Sequence, residues 1–180
     1  MCIRDSPNIA EGDELAINVG SNCYFTSDIS NLTWLPDQPY TAGGWGYIGG
    51  KAHSTTSEIY NTLDGPIYQT WREGNWSYKI DAPIGEYEIE LLIADVTKPA
   101  AQLANLLNKN KEEKHSGETR FHISICGKQV ETNFSPIDGG KHRTAFKRRY
   151  IIRNEHDHIV ISAGAVKGEP FLAGIKVRKL

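Results

Sequence analysis

The 180-residue chain carries a formal net charge of −2, with 39% hydrophobic and 23% charged residues. That balance is globular rather than disordered, and the length suffices for one domain whose core needs neither disulfide nor metal. Near-neutrality removes any whole-chain reason to expect nucleic acid or an anionic membrane as a partner, and no run approaches the ~20 apolar residues of a membrane-spanning helix.

In chain order, residues 1–14 read as a leader or linker. Met1-Cys2-Ile3-Arg4-Asp5-Ser6 has no hydrophobic segment and is no signal peptide. It resembles a spurious leader translated at the edge of assembled environmental sequence, which makes the chain a fragment with one domain over 15–180. Leu15, Ile17 and Val19 alternate as a first strand. Residues 20–66 are glycine-rich and aromatic with little periodicity, and read as a long loop, a length that usually serves a function. Pro83-Ile84-Gly85 then turns into the clearest strand, Glu86–Ile93. Tyr87, Ile89, Leu91 and Ile93 take one face and three glutamates the other, the pattern of a strand between core and water.

Leu103, Leu106 and Leu107 stand at helical spacing before a charged Lys109–Lys114 stretch, so 97–118 reads as a loop carrying a short amphipathic helix. Phe121, Ile123 and Ile125 alternate, and Cys126-Gly127-Lys128 makes a hairpin turn. After a turn at Asp138-Gly139-Gly140 come Phe146, Arg148, Tyr150 and Ile152, then Ile159 and Ile161. Gly168-Glu169-Pro170 turns into a closing strand of Phe171, Ala173, Ile175 and Val177. Short strands separated by turns predict an all-β, antiparallel jelly-roll β-sandwich with long loops and one short helix. Tyr87, Ile89, Leu91, Ile93, Phe121, Ile123, Ile175 and Val177 should share its core.

Chemistry-bearing residues are sparse. Cys2, Cys23 and Cys126 form neither a disulfide framework nor a zinc pattern, though a Cys23–Cys126 bridge stays open and Cys126 reads as a small buried residue of a strand. A glycosidase needs two carboxylates roughly 5–5.5 Å or 6.5–9.5 Å apart. Glu86, Glu88 and Glu90 read as solubilising, and Glu73 and Asp95 belong to no recognisable pair, so no catalytic residue is expected. His156-Asp157-His158 offers two ligands without a third, hence no metal site and no cofactor. The basic run Lys141, Arg143, Lys147, Arg148, Arg149, Arg153 reads as a solvated face or a domain contact, with no nucleic-acid motif beside it. The triplets at Asn31, Asn75 and Asn133 matter only in a eukaryotic secretory setting.

Five blocks resemble malectin-like carbohydrate-binding domains in the family's order. They are Ala16-Ile17-Asn18-Val19-Gly20-Ser21, Ile67-Tyr68-Gln69-Thr70-Trp71-Arg72, Gly85–Leu91 with Ile93-Ala94-Asp95-Val96, Thr119–Ile123 with Gly127-Lys128, and Pro170–Val177. Thr33–Tyr40 and Gly44–Gly50 are similar to the malectin-like domains near the C-termini of family 2 glycoside hydrolases, the β-galactosidase family. The resemblance implies a non-catalytic accessory module of a secreted or periplasmic enzyme. Its partners would be an oligosaccharide or glycan and the parent's catalytic domains, with no nucleic acid and no membrane. A bracing domain that touches no sugar is the rival reading.

Sugar binding needs flat apolar surface and fixed polar groups. Trp34, Tyr40, Trp45, Tyr47 and Trp71 can supply the first; Asp37, Gln38, Arg72 and Glu73 can supply the second. The same aromatics can instead pack the long loop against the sandwich. By the resemblance, Tyr47 occupies an aromatic position of the sugar site. Glu73, Thr97 and Lys98 stand where the family has aromatics, and Gly168-Glu169 where it has an aspartate. Any site is expected at one end of the sandwich, between 34–50, 71–76 and 97–118.

Overall fold

The computed structural model describes residues 12–96, 119–136 and 142–180. Residues 1–11 of the expected leader, the helix expected within 97–118, and the turn at Asp138-Gly139-Gly140 lie outside the described residues.

Two sheets face each other. β1 (Glu14–Asn18), β12 (Gly174–Lys179), β6 (Gly85–Ala94) and β9 (Ala145–Asn154) lie side by side in one. β5 (Thr70–Asp81), β10 (His158–Lys167), β7 (Arg120–Ile125) and β8 (Lys128–Phe134) form the other. That interleaved order, 1-12-6-9 against 5-10-7-8, is a jelly roll. β2 (Phe25–Thr26) and β3 (Thr33–Pro36) extend the first sheet beyond β1, with β3 parallel to it. β4 (Trp45–Ser54) runs antiparallel along the whole of β5.

The eight expected core residues are all buried between the sheets, joined by Tyr78, Ile80, Ile159, Ile161 and Phe171. A second core lies on the outer face of the first sheet. There Trp34, Ile59, Ile67 and Tyr68 cover Ala16, Leu92, Ala94 and Ala173. The 20–66 segment is therefore not a loop, a correction to its reading: β2 and β3 extend the first sheet, β4 joins the second, and Trp34 and Ile59 belong to a layer that covers the first sheet. Glycines hid the ten-residue β4, and its last residues are polar because it is an edge. The helix α1 (Gly65–Tyr68) belongs to this layer, with Pro66 in the first turn, where a missing N–H costs nothing.

Three further expectations are corrected. The outer face of β6 is a solvent face only at its start, where Glu86 is exposed and Glu88 half-buried. Glu90 is 3% exposed, and it meets Arg149 at 2.6 Å and Lys176 at 3.4 Å. Alternation tells which side a residue takes, not what covers that side. The closing strand splits at Ala173: β11 (Phe171–Leu172) pairs with β5, while β12 pairs with β1 and β6. Only small residues fit that crossing, since a Cβ on Gly174 would stand 3.1 Å from Trp34 and 3.2 Å from Leu92. Finally, Cys23 and Cys126 are both free, and Cys126 is half-buried in the β7–β8 turn at φ 50°.

Candidate functional site

β4 and β5 position most of the candidates. In the first half of the pair, Trp45 sits opposite Ile80 and Tyr47 opposite Tyr78. Trp45 is buried in the main core and Tyr47 packs against it. Arg72 lays its guanidinium 3.3 Å over the Tyr47 ring. Its Nε and Nη2 donate to Asp37 Oδ2 at 3.1 and 2.9 Å, and its Nη1 donates to the Gly49 and Gly50 carbonyls. Asp37 also accepts from Gly20 N–H and from the Tyr78 hydroxyl. Both members of the ion pair are buried, with side chains 6% and 3% exposed.

Burial opposes the Arg72 charge, but the hydrogen bond and charge of Asp37 outweigh it and hold the guanidinium above its ordinary pKa. Burial and the Asp37 charge push the Tyr78 phenol well up. This cluster ties β4, β5 and the loops at Gly20 and Asp37 together.

Tyr40 is committed in a similar way. Its hydroxyl donates to Asp81, which also accepts the N–H groups of Gly43 and Gly44. Gln38 donates to the Trp45 carbonyl. Trp34 is buried in the second core.

Beyond Gly49 the β4–β5 register shifts, setting Lys51 opposite Glu73 and His53 opposite Trp71. His53 stacks on Trp71 with centroids 5.6 Å apart and planes 19° from parallel. The Trp71 indole N–H donates to Glu73 Oε2 at 3.1 Å, which fixes the carboxylate beside the ring. Lys51, His53, Glu73, Asn75 and Glu169 line a cleft of about 460 Å³ around Gly50 and Gly74. Glu169 enters from the turn before β11; its Oε2 is 3.6 Å from where a Gly74 Cβ would stand.

The structure thus gathers three candidates around one cleft: Glu73 and Glu169 in its wall, and Trp71 beside it. It sets Asp37 and Arg72 in a buried hub capped by the half-buried Tyr47, and Trp34, Trp45 and Tyr40 elsewhere. Thr97 and Lys98 lie outside the described residues. Sequence reasoning missed Lys51, His53 and Asn75. Their signal was the alternation Lys51-x-His53 against Trp71-x-Glu73-x-Asn75, legible only once β4 is taken as a strand. Chemically, the cleft offers an aromatic stack, two carboxylates, an amide and an ammonium, a set that suits a polyhydroxylated ligand.

Comparison with known proteins decides the family. Residues 14–175 match the malectin domain. The chain belongs to the malectin domain family. Among solved structures, this malectin domain is similar to a Bacteroides uniformis beta-glucuronidase, with 45% identity and a TM-score of 0.80. The match covers 94% of this chain and 18% of that enzyme. It is also similar to a kinesin-like protein of Oryza sativa subsp. japonica, 28% identical over 136 residues, which cover 74% of this chain and 12% of that protein. The ANX2 ectodomain from Arabidopsis thaliana shares the fold, with a TM-score of 0.67 at 14% identity over 92% of this chain and 49% of that one. The chain therefore spans less than a fifth of the beta-glucuronidase and of the kinesin-like protein. The expected likeness to malectin-like domains of family 2 glycoside hydrolases agrees with this similarity to a beta-glucuronidase.

Proposed function

We propose that this domain is a non-catalytic accessory module of a larger, exported glycoside hydrolase of the beta-glucuronidase kind, and that it holds an oligosaccharide in the Trp71–Glu73–Glu169 cleft. The observation that carries the reading is the meeting of Glu73 and Glu169 in one cleft. They come from the segment after Thr70-Trp71-Arg72 and the turn before the last strands, two places where the resemblance puts malectin's sugar contacts. His53 lines the cleft with its ring stacked on Trp71, and that stack supplies the flat face; Trp71 is held by Glu73 and packs against both cores. Carboxylates accept sugar hydroxyls, and Lys51 and Asn75 donate to ring and glycosidic oxygens.

Calorimetric titration with glucose, galactose and glucuronate oligosaccharides tests it. Trp71→Ala should weaken binding by about 1–2 kcal/mol, a several- to thirtyfold loss. Glu73→Gln and Glu169→Gln should also weaken it. Tyr47→Ala, a change in the cap of the buried hub, should alter stability more than affinity. Wild-type binding that all the cleft variants retain would place the site elsewhere.

The structural rival has its own support: Trp34 and Trp45 are spent on this domain's cores. On that account the module braces its neighbours, and wild type takes up no sugar even at millimolar concentration.

A further inference from the structure

At the opposite side of the sandwich, β9 is the last strand of its sheet among the described residues. Among the described residues, partners along the outer side of this edge reach only its first residue. Ala145 N–H donates to the Tyr60 carbonyl at 2.9 Å, and the Asn61 side-chain amide donates to the Ala145 carbonyl at 3.1 Å. In an antiparallel ladder the backbone groups of alternate residues point the same way. Lys147, Arg149, Ile151 and Arg153 therefore aim their N–H and C=O groups outward with Ala145. Among the described residues, no strand takes them up.

A groove of about 590 Å³ runs along this edge, between β9 and the β7–β8 hairpin. Ile125, Val130, Tyr150 and Ile152 give it apolar walls, and on its rim three cations, Lys128, Arg149 and Arg153, outnumber the one carboxylate, Glu155. Arg149 is engaged with Glu88 and Glu90 yet stays 63% exposed, and Ile151 is 69% exposed.

We propose that the β9 edge and its groove dock an extended, acidic segment of a partner polypeptide, which adds to the sheet as a further strand. Backbone pairing would supply registry, and alternate side chains would enter the groove or meet the basic rim. Charge chooses the occupant. A second copy pairing edge to edge would bring Lys147, Arg149 and Arg153 against their own kind, and cations on an edge guard against self-pairing. An Asp- or Glu-bearing strand meets the same residues favourably.

The test is a nuclear magnetic resonance titration of the full chain with a capped peptide alternating valine and aspartate, beside its valine–lysine counterpart. The expected result is shift changes and slowed hydrogen exchange at Arg149, Ile151 and Arg153 with the acidic peptide alone. Its affinity should fall at least about tenfold between ~50 mM and ~500 mM salt. Ile151→Pro removes one outward N–H while sparing the β6–β9 ladder, and should abolish binding without changing the melting temperature. The double reversal Lys128→Glu with Arg153→Glu should switch preference to the lysine peptide. No shifts at millimolar peptide, equal response to both peptides, or shifts centred on the Trp71 cleft would overturn the proposal.

Discussion

Asp37 accepts from Gly20, Arg72 and Tyr78 within one buried cluster, so removing its charge leaves Arg72 stranded under Tyr47. A broken buried pair costs about 3–5 kcal/mol. Asp37→Asn should lower unfolding free energy by that order in urea titration, and an unchanged midpoint would show that the hub is not stabilising. Glu90 makes a pH prediction. Burial disfavours its charge, but Lys176, the Arg149 hydrogen bond and Lys147 outweigh burial and hold its pKa below the ordinary 4.5. A carboxyl with a depressed folded pKa adds stability that is complete above the unfolded value and lost as pH falls through the folded one. Thermal midpoints should therefore drop as pH descends from about 5, and Glu90→Gln should shallow that slope. Neither role was legible in the sequence. Arg, Asp and Tyr are equally the residues of a sugar site and of a buried hub, and what separates the two is burial.

At the scale of elements, legibility followed periodicity. β6 and β7 alternate cleanly, β9 alternates with Arg148 as the exception on its apolar face, and all three were found. β4 was missed because three of its residues are glycine and its outer half is polar, so neither propensity nor pattern marks it. Those glycines have a structural reason. Gly49 has φ 76°, and a Cβ on it would stand 2.5 Å from the Asn75 carbonyl, at the register shift that brings Lys51 opposite Glu73. Gly49→Ala should therefore destabilise the domain by about 1–3 kcal/mol. It should also weaken sugar uptake, because the strand carrying Lys51 and His53 is displaced. Melting by circular dichroism reads the first effect, and titration of the same variant reads the second. A variant that melts like wild type but binds less well would assign the glycine to the cleft alone.

At the scale of the molecule, the jelly roll was legible because its inward faces repeat at period two, and the second core was not. Trp34, Ile59, Ile67 and Tyr68 are scattered through a segment without period, and only the fold brings them onto Leu92 and Ala94. β6 belongs to both cores: Tyr87, Ile89, Leu91 and Ile93 face the sandwich interior, while Leu92 and Ala94 face the covering layer. A strand shared in this way couples the two cores, so the layer should not peel off before the sandwich unfolds. Unfolding should be one transition, with tryptophan fluorescence and far-ultraviolet circular dichroism superimposing across a denaturant series. Trp34→Ala tests the coupling. Emptying a site of that size costs about 3–5 kcal/mol, a large part of a typical 5–15 kcal/mol stability. If the cores are coupled, the whole transition shifts to lower denaturant and stays single. If the variant instead gives two steps, an early one in residues 20–68 and a later one at the wild-type midpoint, the layer is an independent covering and β6 does not transmit its loss.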